Sequence, residues 1–306
     1  MTPATKVGIS VHDSLMVADP GRRRRILDLV SDAGIDHVCV GDHISFHGGT
    51  GFDGLVAATS VLCTQDTLPV VVGIYLLGLR HPMLAARQLA SISQLAPGRL
   101  VLGVGVAGED RSEISNSGVD PATRGRRLDE TLDLLRRLAG GEKVDHAGEF
   151  FTLAAASILP AQTPRVPIVI GGKGDVAVRR AAQYGDGWLG IFCSPRRFAQ
   201  TRQQIAEAAA ERGRDVPGWY GLSLWCGLDR DPGVARDLLA HELTSLYRLP
   251  YDKFQHVTPA GTPAQVAEWL APFVGQAEHI NLIPAASSPE AGIDYVAEVR
   301  EHLLAS

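Results

Sequence analysis

Short apolar runs alternate with longer amphipathic stretches from one end of this chain to the other. The runs fall at Lys6–Ser10, His37–Val40, Leu68–Ile74, Leu100–Val104, Pro167–Ile170, Gly187–Ile191, Gly221–Cys226 and His279–Ile283. Several are unbroken Val/Ile/Leu segments, the pattern of parallel strands covered on both faces. Helix signals lie between them. Pro20–Ala33 is closed by Gly34, a glycine just past a helix end. His81–Leu95 has Pro82 in its first turn and Pro97-Gly98 just beyond. In Thr123–Leu138, the spacing of Leu128, Leu132 and Leu135 puts them on one helical face, which Leu134 and Leu138 widen. Asp175–Tyr184, Arg196–Arg212, Val234–Tyr247, Pro263–Phe273 and Pro289–Leu304 complete the predicted helices. None is predicted between the second and third strands, or over the polar stretch Glu109–Asp120.

Two segments break the rhythm. Lys143–Leu153 alternates polar and apolar positions around Ala147-Gly148, which predicts a small hairpin. Arg248–Pro263 is rich in Pro and Gly and poor in apolar residues, and reads as a mobile connection near the mouth of the fold. Eight βα units in 306 residues predict one domain, 1–306, of the α/β class. The expected architecture is a (β/α)8 TIM-type barrel with a small hairpin insertion before strand five. A doubly wound sheet is the rival, but no G-x-G-x-x-G follows the first strand.

Composition narrows the function classes. Apolar residues make up 45% and charged residues 21%, an ordinary globular balance. A net charge of −5 argues against nucleic-acid binding, and the run Arg22-Arg23-Arg24-Arg25 sits where a solvated helix face is expected. No apolar run reaches a membrane-spanning length, and the first ten residues lack a signal-peptide pattern. The four cysteines are scattered without ligand spacing, which fits a reducing, cytoplasmic setting. No metal site is expected either, since only His43 and His12 present themselves and no H-x-H pair occurs.

A barrel puts its chemistry on the loops after the carboxyl ends of the strands. Asp42-His43 follows strand two, where an imidazole can serve as general acid or base, or where the pair merely caps a turn. Tyr75-Leu76 ends strand three, and Gly105-Val106-Ala107 ends strand four ahead of Glu109. Glu109 is either a second proton-transfer group or a solvated carboxylate. Gly103-x-Gly105-x-x-Gly108 matches a dinucleotide pattern by accident, because a polar stretch follows it. Gly171-Gly172-Lys173-Gly174 follows strand five, where glycine N–H groups and Lys173 could meet a phosphate, or where a tight turn simply needs positive φ. Trp188, Phe192 and Trp225 are pocket walls or core.

Several motifs together resemble the superfamily of luciferase-like flavin monooxygenases and F420-dependent reductases. They are His81-Pro82, Arg87-Gln88-Leu89-Ala90, Gly98-Arg99-Leu100-Val101-Leu102-Gly103-Val104-Gly105 and Arg124-Gly125-Arg126-Arg127-Leu128-Asp129-Glu130. Gly148-Glu149-Phe150-Phe151, Pro164-Arg165-Val166-Pro167-Ile168, Arg180-Ala181-Ala182 and Gly185-Asp186-Gly187-Trp188 extend the likeness over nearly the whole chain. The resemblance implies a barrel oxidoreductase binding F420, with FMN as the alternative. It implies that Asp42 and His43 flank the ring, with His43 and Glu109 as catalytic base and acid; Glu109 matches only across a one-residue insertion. A non-proline cis peptide is implied at Tyr75-Leu76, and phosphate contacts at Gly171 and Gly172, with Lys173 and Gly174 beside them. A small-molecule substrate and a homodimer are implied too, with a partner flavin reductase if the cofactor is FMN. A flavin-binding relative without turnover is a further possibility, and a metal-dependent barrel hydrolase another.

Overall fold

The computed structural model describes residues 5–11, 15, 19–108 and 110–305. His12 and Glu109, two candidates from the sequence, lie outside the described residues. The strands are β1 (Lys6–Ser10), β2 (His37–Val40), β3 (Val70–Tyr75), β4 (Leu100–Val104), β5 (Val144–Ala147), β6 (Thr152–Ala156), β7 (Ile168–Gly171), β8 (Gly187–Ile191), β9 (Trp219–Leu228), β10 (Ala260–Gly261) and β11 (His279–Ala285). Eight of them pair in parallel in the order β9-β11-β1-β2-β3-β4-β7-β8, and β8 returns to β9 to close a TIM barrel. The antiparallel pair β5–β6 is the inserted hairpin, and β10 adds two residues alongside β9.

Helices wrap the barrel because each buries a stripe against it. In the helix Arg124–Leu138, Leu128, Leu132, Leu135 and Leu138 are at most 1% exposed. Each such side chain contributes roughly 1.5–3 kcal/mol by leaving water. Six helices open on proline, at Pro20, Pro82, Pro195, Pro232, Pro263 and Pro289, where the missing N–H costs no hydrogen bond. Of the Arg22–Arg25 run, Arg22, Arg24 and Arg25 lie on the exposed face of the helix Pro20–Asp32.

The structure adds two helices to those predicted. Gly54–Thr64 connects β2 to β3 and is made of Leu, Val, Ala, Thr, Ser and Cys without a charge, so it carries no polar stripe to reveal its period. Its Asp53 cap accepts from the N–H groups of Leu55 and Val56. Arg111–Asn116 is a short helix inside the stretch expected to be irregular, opened by the Asp110 cap. The segment after Arg248 is also less featureless than expected. It holds a 3-10 turn at Tyr251–Lys253, the buried Phe254 and the strand β10.

Two helices follow β9. Pro263–Leu270 leads back into β11, whereas Pro232–Tyr247 folds over the end of β9, so tightly that a Cβ on Gly227 would lie 3.0 Å from Leu239 Cβ. At the opposite end of the barrel the core is polar. His37 bonds through Nε2 to Asn281 Oδ1, Asn281 donates to Ser223 Oγ at 3.1 Å, and His279 stacks on Trp219 at 4.5 Å.

Candidate active site

Asp42 leaves the end of β2 with its carboxylate buried at 0% side-chain exposure. Four N–H donors of the chain satisfy it. Oδ1 accepts from Gly54 N and Arg80 Nη2, each at 2.8 Å, and Oδ2 accepts from Leu76 N at 2.8 Å and Arg80 Nη1 at 2.7 Å. Burial pushes its carboxyl up, while the Arg80 guanidinium and the two backbone N–H groups pull it back. Arg80 also holds Asp53 at 2.9 Å and lies 4.0 Å over the Tyr75 ring. One carboxylate therefore ties together the loop after β2, the start of the helix Gly54–Thr64 and the end of β3.

His43 turns out of that anchored position and is 37% exposed at its side chain. Its ring stacks on Phe46 at 4.1 Å, and its Nδ1 lies 3.3 Å from Glu113 Oε2 and 3.4 Å from Oε1. Glu113 sits on the short helix Arg111–Asn116 and is 2% exposed. Its Oε1 accepts from Ile44 N at 2.6 Å and Ser45 N at 3.0 Å. From the same helix start, Asp110 accepts from His47 N at 2.8 Å. Two carboxylates after β4 thus grip the loop after β2. Sequence reasoning missed Glu113 because it lies in a stretch given no helix. The Ser112-Glu113 pair behind Asp110, a capping residue followed by acid in the first turn, is the signal that could have found it.

Beside this cluster the end of β3 bulges. The cis peptide is Gly73–Ile74, not Tyr75-Leu76, and it falls where the β3–β4 register shifts between Val72 and Tyr75. Tyr75 and Leu76 are instead buried at 1% and 4% exposure beneath Arg80 and Asp42. Ile74 spreads over a row of glycines: a Cβ on Gly105 would fall inside its side chain, and one on Gly171 would lie 2.8 Å from its Cγ2. The result is an apolar patch where the ends of β3, β4 and β7 meet. Val106 packs against the core beyond it, and Ala107 takes φ +54°, its carbonyl accepting from Arg124 Nε at 3.2 Å.

Next to the patch, Gly172 and Gly174 have φ of +116° and +80°, and the helix Asp175–Tyr184 starts with no side-chain cap. Backbone N–H groups open in this way suit an anion. Lys173 is exposed, with Nζ 5.2 Å from the centre of the Phe192 ring. Gly171 differs from its neighbours in serving the Ile74 patch. Phe192 follows β8, which lies four strands from β2 in either direction around the barrel and so faces it. There Phe192 packs on Tyr247 and Phe254 at 5.6 and 5.4 Å, and Trp225 Nε1 donates to the Tyr247 hydroxyl at 3.3 Å. Arg248 Nη2 reaches across to His47 O at 3.4 Å. Trp188 belongs to the core, 2% exposed, its Nε1 donating to Gly172 O at 3.0 Å.

The mouth therefore offers an apolar seat for a planar ring, an anion-suited turn beside it, and an imidazole facing an aromatic wall. A flavin or deazaflavin with its phosphate fits this set of groups. Among the described residues no cluster of three or more His, Cys, Asp or Glu side chains could hold a metal, and no helix is long and apolar enough to cross a membrane.

Comparison with known proteins agrees with this chemistry. The family description "Luciferase-like monooxygenase" matches residues 4–260. An F420-dependent glucose-6-phosphate dehydrogenase of Rhodococcus erythropolis is 32% identical over 201 residues, 61% of this chain and 58% of that protein. A 4-hydroxyprotoasukamycin monooxygenase of Streptomyces nodosus subsp. asukaensis is 30% identical over 213 residues, 65% of this chain and 57% of that protein. Among solved structures, an F420-dependent secondary alcohol dehydrogenase in complex with an F420-acetone adduct superposes with a TM-score of 0.84. It is 20% identical and covers 98% of this chain and 99% of its own, a likeness of fold.

Proposed function

The chain belongs to the luciferase-like monooxygenase family, and from that premise we propose that it is an F420-dependent oxidoreductase acting on a small organic substrate. The observation that carries the proposal is His43, a partly exposed imidazole backed by a buried carboxylate at the mouth of the barrel. An oxidoreductase that interconverts an alcohol and a carbonyl must move one proton for each hydride, and an imidazole in this position can take or return it. The 32% identical F420-dependent dehydrogenase supports the same reading.

When bound, F420 supplies a two-electron, single-hydride exchange at its deazaflavin ring. Ile74, with Gly105 and Gly171 beneath it, would seat that ring, and Val106 and Ala107 would border it. Gly172, Lys173 and Gly174 would hold the phosphate. Asp42 serves the seat through the backbone it fixes at Leu76 and Gly54. Phe46 and the Phe192–Tyr247 wall would keep water from the reacting groups and orient the substrate.

Fluorescence titration of the purified protein with oxidised F420 and with FMN tests the cofactor. Micromolar binding of F420 is expected. Binding of FMN alone would replace the proposal with a flavin monooxygenase fed by a partner reductase, the reading that the 30% identical monooxygenase favours. His43→Ala is expected to keep F420 binding and lose turnover by roughly 10²- to 10⁴-fold, the range for general acid–base groups. Full activity in that variant would remove His43 from the reaction.

A further inference from the structure

We infer that Glu113 is a positioning residue that decides which ring nitrogen of His43 carries the proton, leaving Nε2 as the atom that meets the substrate. The inference rests on the proposed role of His43 and adds a device the family match does not specify. It starts from the donors around one carboxylate. Glu113 Oε1 takes the N–H groups of Ile44 and Ser45, and Oε2 is the atom nearer His43 Nδ1, at 3.3 Å. An ionised carboxylate only accepts hydrogen bonds, so the imidazole must donate from Nδ1. In a neutral ring the lone pair is then on Nε2.

The rest of the site holds that arrangement. Phe46 stacks against the imidazole at 4.1 Å with an interplanar angle of 29°, which limits rotation of the ring. Phe46 is itself 6% exposed, and its carbonyl and N–H close the small bridge to Thr50. During oxidation of a substrate hydroxyl, for which the cofactor would supply the two-electron acceptor, Nε2 would receive the hydroxyl proton while Nδ1 keeps its own. The resulting imidazolium would have the buried Glu113 carboxylate beside it as its counter-charge. In the reverse direction Nε2 returns the proton.

An isosteric variant separates this role from a purely structural one. In Glu113→Gln the amide oxygen must remain where Oε1 is, because two backbone N–H groups point at it. The amide NH2 then takes the place of Oε2 and donates to Nδ1. The loop is held as before, but the imidazole proton moves to Nε2, which can no longer accept. Glu113→Gln is therefore expected to bind oxidised F420 within about twofold of wild type while kcat falls by roughly 10²- to 10⁴-fold, the scale of losing or mis-protonating a catalytic imidazole. Glu113→Ala, which also releases Ile44 and Ser45, should add a rise in KM and a lower melting temperature.

Nitrogen-15 NMR of histidine-labelled protein without cofactor reads the tautomer directly, the His43 signals being assigned by their loss in His43→Ala. Wild type should carry its proton on Nδ1, and Glu113→Gln on Nε2. Wild-type kcat in Glu113→Gln overturns the inference, and so does an Nε2-protonated ring in the wild type, which needs no variant to fold. Full activity of His43→Ala would instead sink the base reading, while the tautomer measurement would still judge what Glu113 does.

Discussion

At the mouth the Asp42 carboxylate is fully buried, and its energetics follow from that burial. A buried charge is tolerated only while its partners are present, and removing one partner costs about 3–5 kcal/mol because the other is left uncompensated. Among the described residues, Arg80 supplies two of the four hydrogen bonds to Asp42 and its counter-charge in direct contact. Arg80→Met should therefore destabilise the protein by about 3–5 kcal/mol, read as a fall in the urea midpoint. Asp42→Asn in that background should recover part of the loss, since a neutral amide still accepts from Gly54 or Leu76 without a stranded charge. Wild-type stability in Arg80→Met would show that the pair does not hold the strand ends together. Glu113 is the contrasting residue. Its Oε1 takes two backbone N–H groups, and its Oε2 lies 3.3 Å from a partly exposed imidazole, so its removal should appear in turnover more than in stability.

At the scale of the element, the strands that build the site are those most readable from sequence. β1, β2, β4 and β8 have the predicted bounds; runs such as Leu100–Val104 are apolar on both faces, and Arg99 and Gly105 mark that run's two ends. Asp42-His43 was legible for the same reason, being the first polar pair after a buried run. The helix Gly54–Thr64 was not, since small uncharged residues all round leave no period to detect. Nor was the bulge in β3, a shift in register against β4 between Val72 and Tyr75, because pairing between distant strands is not encoded in local sequence. The glycines after β4 and β7 look alike in sequence and differ in space. Gly105 makes room for Ile74, whereas a Cβ on Gly108 would meet nothing within 4 Å among the described residues. Gly105→Ala should thus cost about 1–3 kcal/mol as an overpacked contact and weaken cofactor binding. Gly108→Ala should stay within about 0.5 kcal/mol of wild type. Adding Ile74→Val to Gly105→Ala removes the Cδ1 atom that the new methyl strikes, and should restore part of the stability. A Gly105→Ala variant as stable and as tight-binding as wild type would show that the patch yields freely.

Taken as a whole, the barrel places the proposed proton chemistry at one end and two neutral imidazoles at the other. Burial holds His37 down to about 4 and His279 down to about 3, with the nearby Asp36 pulling both upward and Lys6 pressing both downward. Their folded values lie below the unfolded value of about 6.5, so the unfolded chain binds more protons as the medium turns acidic. The stabilisation is complete above about pH 6.5 and is lost as pH falls toward the folded values. For His37 alone the loss is roughly 2 kcal/mol by pH 5, since each unit of difference is worth about 1.4 kcal/mol. Asp36 and Asp186, whose carboxyls are held below an ordinary value of 3.8 by Arg300 and Arg165 together with backbone N–H groups, give up their share only at more acid pH. Of these groups, the two imidazoles are the ones that respond between about pH 6.5 and 5. Urea unfolding at pH 7 and pH 5 should show the drop, and His279→Phe, which keeps a flat ring against Trp219, should shrink it while leaving the pH 7 value close to wild type. An unchanged difference between pH 7 and pH 5 in that variant would mean that the acid sensitivity arises elsewhere in the barrel.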